Sequence, residues 1–156
     1  MQGMMIARAK ELLQDGTVNR VLGWQAGEFV YDITPAVFET AEELDGKFVY
    51  NAFCGNNLSK YLIKETKKDG KVLVFLKPCD TYSFNQLLTE HRFDREKVYA
   101  IGIPCDGKTS GEMVKSKGLS GITGIDEDGD TLTVHTIYED KSFSRDELLE
   151  ERCRSC

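Results

Sequence analysis

Two apolar runs that each end in Pro-Cys-Asp constrain this chain more than any other feature of its sequence. The first is Val72–Asp80, VLVFLKPCD, and the second is Val98–Asp106, VYAIGIPCD. Short apolar runs rich in Val, Ile and Phe and bounded by turn residues predict buried strands. The helical pattern between them predicts a βαβ unit, in which the two strands lie parallel in one sheet.

The parallel arrangement places both Pro-Cys-Asp segments at the same edge of the sheet. The carboxyl ends of parallel strands meet at one edge, and open α/β sheets bind their ligands there. We therefore expect Cys79 and Cys105 to follow neighbouring strands at that edge. The sequence predicts an α/β fold: a single domain over residues 1–156 with a mixed sheet around the central parallel βαβ unit, covering helices and a C-terminal β-hairpin.

The remaining elements are predicted from apolar periodicity and capping residues. We expect strands at Val18–Trp24, Phe29–Ile33 and Phe48–Phe53, the first two paired as a hairpin. The EDGD turn should join the two strands of the C-terminal hairpin, Gly121–Asp126 and Thr131–Tyr138.

Three helix starts follow from polar caps. Thr40 with Glu43, and Ser144 with Glu147, have the spacing of capping boxes. Asp80 or Thr81 should cap the helix after the first central strand. The helix after Ser144 should continue to Cys153.

Composition excludes several classes of function. The chain has 156 residues, of which 40% are hydrophobic and 29% charged, as in an ordinary globular protein. Its net charge of -6 argues against a nucleic-acid-binding surface, which would be basic. No apolar stretch approaches the ~20 residues of a membrane span, and the charged N-terminal helix does not resemble a signal peptide. We expect a cytoplasmic protein.

The five cysteines indicate metal or redox chemistry, because a disulfide framework is rare in a reducing compartment. Two thiolates at the spacing of Cys153 and Cys156 can bind one metal or cluster. With Cys79 and Cys105 they would supply four thiolates, which fits a 4Fe–4S cluster and a structural zinc equally well. The alternative is that Cys79 and Cys105 are small buried hydrophobic residues. Cys54 fits the role of a buried packing residue and that of a metal ligand equally.

Each of the other candidate site residues has a structural explanation as well as a functional one. Asp80 is a helix cap, although the helix start beside it would also suit a phosphate. Lys77 could balance an anionic flavin or phosphate, or could extend its stem to solvent. Asn57 is a helix-cap candidate. His91 and His135 have no sequence partner that suggests catalysis, and we expect His135 to be exposed. Thioredoxin-type chemistry is disfavoured because Cys153-x-x-Cys156 follows a helix instead of opening one.

Three stretches, in this order, resemble a known family. They are NAFCGNNLSKYLI, VLVFLKPCDTYSFNQLLTEHRFDREKVYAIGIPCDG and ELLEERCRSC. They resemble the β-subunit family of coenzyme F-420 (deazaflavin) hydrogenases and dehydrogenases, which includes the formate dehydrogenase β subunit and related iron–sulfur flavoproteins. The resemblance implies that the chain is the N-terminal part of a longer iron–sulfur flavoprotein.

The resemblance also implies a function and its residues. It implies an electron-transfer subunit of an anaerobic oxidoreductase complex, of the hydrogenase, formate dehydrogenase or heterodisulfide reductase type, and not a stand-alone enzyme. Its cofactors would be 4Fe–4S clusters and, in many members, FAD. The implied cluster ligands are Cys79, Cys105, Cys153, Cys156 and, more weakly, Cys54.

Lys77, Asp80 and Asn57 match positions near the family's cofactor site. The alternative function is a zinc-stabilised or metal-free interaction module without redox activity.

Overall fold

The two Pro-Cys-Asp runs form neighbouring parallel strands, as predicted. The prediction that both are buried is wrong for the second, which lies at the edge of its sheet and buries only Val98. In the computed structural model, which describes residues Met1–Cys156, strand β3 spans Val72–Leu76 and β4 spans Val98–Gly102. They pair in parallel with Val72 opposite Val98 and Leu76 opposite Gly102. All five side chains of β3 are buried, as expected for the centre of a covered parallel sheet.

Two further strands complete a four-stranded sheet in the order β2-β1-β3-β4. Strand β1 spans Arg20–Ala26 and pairs in parallel with β3, and β2 spans Ile33–Phe38 beside β1. The predicted α/β class and mixed sheet are therefore confirmed.

The predicted strand Phe29–Ile33 is wrong in its bounds. Phe29 and Tyr31 lie in the connection before β2, where the Gly27 N–H donates to the Asp32 carbonyl at 2.6 Å.

The chain divides into two compact units by its internal contacts. The first contains Met1–Trp24, Pro35–Phe48 and Asn56–Cys105, and the second contains Gln25–Thr34, Val49–Gly55 and Asp106–Cys156. The single-domain assignment stays a prediction. No helix in the chain has the length and apolar character needed to cross a membrane.

Short helices accompany the sheet in the first unit. They are α1 (Gln2–Gln14), α2 (Ala41–Lys47), a 3₁₀ turn (Ser59–Tyr61), α3 (Leu62–Glu65), α4 (Pro78–Thr89) and a second 3₁₀ turn (Arg95–Lys97). Helix α2 begins where its capping residue predicted, since Thr40 Oγ1 accepts a hydrogen bond from the Glu43 N–H at 3.3 Å.

The core of the first unit contains a chain of three phenylalanine rings. The ring of Phe48 lies 5.7 Å from that of Phe38 and 5.9 Å from that of Phe75, centroid to centroid. Gly23 on β1 lies directly beneath the Phe48 ring, and a Cβ placed there would collide with it. Ring packing at this point therefore depends on glycine.

The second unit contains a three-stranded antiparallel sheet and three short helices. Strands β5 (Ile122–Asp128), β6 (Thr131–Thr136) and β7 (Asp140–Ser144) follow in order. The helices are α5 (Gly111–Ser116), α6 (Arg145–Leu148) and α7 (Glu151–Arg154).

The predicted hairpin is confirmed as β5 and β6. Its turn includes Gly129 at a φ of 54°, a conformation that glycine adopts without strain. Buried Arg145 holds this turn, because its guanidinium contacts Glu127 Oε2 at 3.1 Å and the Gly129 carbonyl at 2.9 Å.

Two other predicted elements are wrong. Phe48–Phe53 is not a strand: Phe48 forms only an isolated bridge, and the chain then turns at Asn51. The Asn51 side chain accepts from the Phe53 N–H at 2.9 Å, so it stabilises a turn in place of sheet pairing. The predicted helix from Ser144 to Cys153 is interrupted at Leu149–Glu150, where the backbone is extended. Its capping box is confirmed, since Glu147 Oε2 accepts from the Ser144 N–H at 3.0 Å.

Replacing Gly23 with alanine should destabilise the fold. The added Cβ must displace the Phe48 ring, and overpacking of a core costs about 1–3 kcal/mol. Urea denaturation should show this loss in the free energy of unfolding. Gly46→Ala in α2 is the matched control, since a Cβ there meets no atom within 4 Å and alanine favours helix by about 0.5–1 kcal/mol. Equal effects of the two substitutions would contradict the packing argument.

His135 should make stability depend on pH. Its ring nitrogens contact Asp140 at 2.9 Å and Asp126 at 3.0 Å, and these hydrogen bonds raise the pKa of His135 above its ordinary value of 6.5. A carboxylate only accepts, so both contacts are made by the protonated ring. The contribution is fully present below pH 6.5 and is lost as the pH rises through the higher pKa of the folded state.

Urea denaturation at several pH values from 6 to 9 measures this dependence. His135→Gln should flatten the fall in stability over that range. His91→Gln is the control, because His91 is exposed and its ring makes no ion pair. An unchanged pH profile in His135→Gln would show that the two aspartates do not act through this ring.

Candidate functional site

The candidate site begins at the carboxyl edge of the parallel strands. Leu76 and Gly102 are paired across β3 and β4, and the Ile103 N–H extends the pairing by donating to the Leu76 carbonyl at 2.9 Å. Cys79 and Cys105 each lie three residues beyond this paired position, so they follow neighbouring strands at one edge as predicted. Cys79 is exposed and Cys105 is half-buried. The alternative that Cys79 is a buried hydrophobic residue is therefore wrong.

Helix α4 begins immediately after β3 and carries Cys79 in its first turn. Pro78 occupies the first helical position and Lys77 is the N-cap residue. The predicted cap at Asp80 or Thr81 is thus wrong, because proline is compatible with the first helical position and the helix starts earlier. Asp80 instead accepts a hydrogen bond from the Lys77 N–H at 3.2 Å, so its carboxylate still satisfies a backbone donor of the helix start.

Lys77 is buried and its charge is paired within the chain. The side chain is about 2% exposed, and Nζ lies 2.9 Å from Asp80 Oδ2. Nζ also donates to the Asn56 carbonyl at 3.0 Å and lies 4.6 Å from the centroid of the Trp24 ring. Trp24 Nε1 donates to the same Asn56 carbonyl at 3.2 Å. We call Lys77, Asp80, Trp24 and Asn56 the Lys77 cluster.

The Lys77 cluster corrects one expectation and adds an interaction that the sequence did not reveal. The alternative in which Lys77 extends to solvent is wrong, because its ammonium is enclosed. The sequence does carry one signal of this buried ion pair. Lys77 directly follows five apolar strand residues and lies three positions before Asp80. Nothing in the sequence indicated that Trp24 and Asn56 complete the pairing.

Asn57 lies in the turn that precedes the first 3₁₀ segment. Its side-chain oxygen accepts from the Ser59 N–H at 2.8 Å, and Ser59 Oγ donates to the Asp80 carbonyl at 3.0 Å. Asn57 therefore holds a local turn next to the start of α4. The expectation that Asn57 is the helix cap is wrong, because the N-cap residue of the 3₁₀ segment is Leu58.

The terminal pair of thiols lies in and just after α7. Cys153 is half-buried, Cys156 is exposed, and the Cys156 N–H donates to the Cys153 carbonyl at 3.4 Å. Cys153 lines an open cleft of about 400 Å³ together with Asp146, Leu149 and Arg154. The pair is thus held in one turn of backbone, the arrangement in which two thiolates can bind one metal.

Cys54 is enclosed in the turn after Asn51. It is fully buried, and its sulfur accepts from the Asn51 N–H at 3.3 Å and donates to the Val49 carbonyl at 3.6 Å. These local contacts favour the packing alternative for Cys54.

A second buried lysine, Lys108, was also missed. Its Nζ donates to the Asn51 carbonyl at 3.0 Å and lies 4.2 Å from the Tyr50 ring centroid. Its position after the second Pro-Cys-Asp segment gave no signal of burial.

The donor chemistry suits a soft metal, although no group of three or more His, Cys, Asp or Glu side chains converges to hold one. None of the five cysteines forms a disulfide. That Cys79, Cys105, Cys153 and Cys156 together form a four-thiolate ligand set stays a prediction.

Lys77→Met should strongly destabilise the first unit. It leaves Asp80 buried without its ion-pair partner, and breaking a buried pair costs about 3–5 kcal/mol. Chemical denaturation measures the loss. The double variant Lys77→Met/Asp80→Leu should recover much of it, because no buried charge then remains. If the double variant is as unstable as the single one, loss of side-chain packing and not the unpaired charge is responsible.

Two kinds of known protein are similar to this chain: relatives in sequence and a solved structure. No protein-family model matches the chain. The chain is 33% identical over 117 residues to F420-dependent formate dehydrogenase 1 subunit beta of Methanococcus maripaludis, covering 72% of this chain and 30% of that relative. It is 32% identical over 108 residues to F420-dependent formate dehydrogenase subunit beta of Methanocaldococcus jannaschii, covering 69% and 28%. The matched region is therefore less than a third of either relative.

A solved structure shares the fold. A chain of the xenon-derivatised F420-reducing [NiFe] hydrogenase complex from Methanosarcina barkeri superposes with a TM-score of 0.77. The match covers 99% of this chain and 58% of that chain at 16% identity.

Proposed function

We propose that this chain is an electron-transfer subunit, or a domain of one, in an oxidoreductase complex. The predicted resemblance to the β-subunit family that includes F420-dependent formate dehydrogenase β subunits is confirmed. The relatives are named as subunits of F420-dependent formate dehydrogenases, and the fold is shared with a chain of an F420-reducing hydrogenase complex. Its partners would be the other subunits of a hydrogenase-type or dehydrogenase-type complex.

One observation carries the proposal: Cys79 and Cys105 occupy equivalent positions after paired parallel strands. Two thiols at this edge, and two at Cys153 and Cys156, give the sulfur donors that a 4Fe–4S cluster needs. The cluster would accept and release single electrons. Cys54 is the weakest ligand candidate, because its own loop already satisfies its sulfur.

The Lys77 cluster supports this role as scaffolding. Its ion pair fixes the start of α4, and Cys79 lies in that first turn. Since Asp80 already balances the Lys77 charge, we assign these two residues to holding the strand edge and not to pairing with a cofactor phosphate. Asn57 holds the adjoining turn. We extend the proposal to FAD binding on the resemblance alone, because many members of the family bind FAD.

The proposal is tested on protein purified without oxygen. Iron, sulfide, zinc and flavin are measured on one sample together with its visible absorption spectrum. We expect a brown protein with about four irons per chain, the content of one cysteine-ligated 4Fe–4S cluster. Twin flavin bands would add FAD, and a colourless protein with one zinc would favour the alternative of a zinc-stabilised module.

Serine replacements identify the ligands. Cys79→Ser and Cys153→Ser should each lower the iron content and the visible absorbance, since thiolates hold the iron. Cys54→Ser is the matched control and should keep both. Unchanged iron in Cys79→Ser and Cys153→Ser would disprove the ligand assignment.

A further inference from the structure

An apolar cleft in the second unit is separate from the cysteines. Its volume is about 330 Å³, and its lining includes Phe29, Tyr31, Lys115, Ser120, Ile122 and Ile137. This volume is near the lower limit of small-molecule sites, which begin at about 300 Å³. Two of its apolar side chains are unusually open to solvent, since Phe29 is 51% and Ile137 is 66% exposed.

An aromatic wall forms one side of the cleft. The rings of Phe29 and Tyr31 stack with centroids 5.4 Å apart and planes inclined by only 3°. Tyr31 is supported from behind by an edge contact with Phe53 at 6.4 Å. Both residues lie in the connection that replaces the predicted strand Phe29–Ile33.

Ile137 is positioned at the cleft by a glycine. The Ile137 N–H donates to the Gly121 carbonyl at 2.9 Å. A Cβ at Gly121 would lie 2.6 Å from Ile137 Cγ1, and Gly121 has a φ of 64°. Both the close approach and the left-handed backbone require glycine here.

A single cation accompanies the aromatic wall. Lys115 Nζ lies 4.7 Å from the Tyr31 ring centroid and donates to the Tyr31 hydroxyl at 3.3 Å. The tyrosine fixes the position of the ammonium but leaves its charge unbalanced, because no carboxylate forms an ion pair with Lys115. An ammonium has three donors, and this one uses a single donor on the protein.

We propose that this cleft binds a small aromatic carboxylate. The ring of the ligand would lie among Phe29, Ile122 and Ile137, and its carboxylate would pair with Lys115. The apolar lining favours a planar hydrocarbon surface, and the unbalanced ammonium favours an anion over a neutral group. The inference is independent of the cysteines and of electron transfer.

The test compares 2-naphthoate with the neutral 2-naphthamide by titration calorimetry and by methyl NMR of the isoleucines. We expect 2-naphthoate to bind about threefold more tightly than the amide, because Lys115 is exposed and water screens its ion pair with the carboxylate. The Ile122 and Ile137 methyl signals should shift with both probes. Absence of binding at millimolar probe, or shifts confined to other isoleucines, would overturn the proposal.

Variants separate the two parts of the site. Lys115→Met should remove the preference for the carboxylate while the amide binds as before. Ile137→Ser should weaken both probes. Lys117→Met is the matched control on the same segment, since Lys117 is exposed and does not line the cleft. Equal losses in Lys115→Met and Lys117→Met would show a general charge effect and refute a specific site.

Discussion

The parallel pairing of β3 with β4 is the constraint on which the candidate site depends. Parallel strands cannot be joined by a tight turn, so the chain must cross over through α4 before β4 begins. Strand β3 has a neighbour on each side and is buried throughout, which accounts for its uninterrupted apolar run. With Leu76 opposite Gly102, the two equal Pro-Cys-Asp spacings become equal positions at one edge. The repeated sequence thereby follows the same ends of two neighbouring strands.

The Lys77 cluster shows how that edge tolerates a buried charge. An ammonium enclosed at the end of an apolar strand needs a carboxylate and further acceptors nearby. Asp80 can provide the carboxylate only because α4 starts at Pro78, which brings residue 80 back over the end of β3. The end of the strand, the start of the helix and the ion pair are therefore mutually dependent.

Much of the fold was predictable because local and long-range preferences agree. The strand positions of the two apolar runs, the EDGD hairpin and the caps at Thr40 and Ser144 were all found where the pattern placed them, although only the first run is buried. The failures have separate local causes. Asn51 forms a turn within an apolar segment, and β7 was missed because its charged and serine-rich sequence buries only Phe143.

The site was predictable to a similar degree. The strand edge and its two cysteines follow from register, whereas the enclosure of Lys77 by Trp24 and Asn56 depends on residues far apart in the chain.

The burial of Cys54 has a consequence for the chemistry of the whole set of thiols. Cys79 and Cys156 are open to solvent, whereas Cys54 is fully enclosed and can meet a reagent only when its loop opens locally. Alkylating agents and peroxide should thus separate the cysteines by rate, with the exposed thiols consumed first. The reaction rate of Cys54 then reports how often the Val49–Gly55 loop opens in the native protein, without any added label.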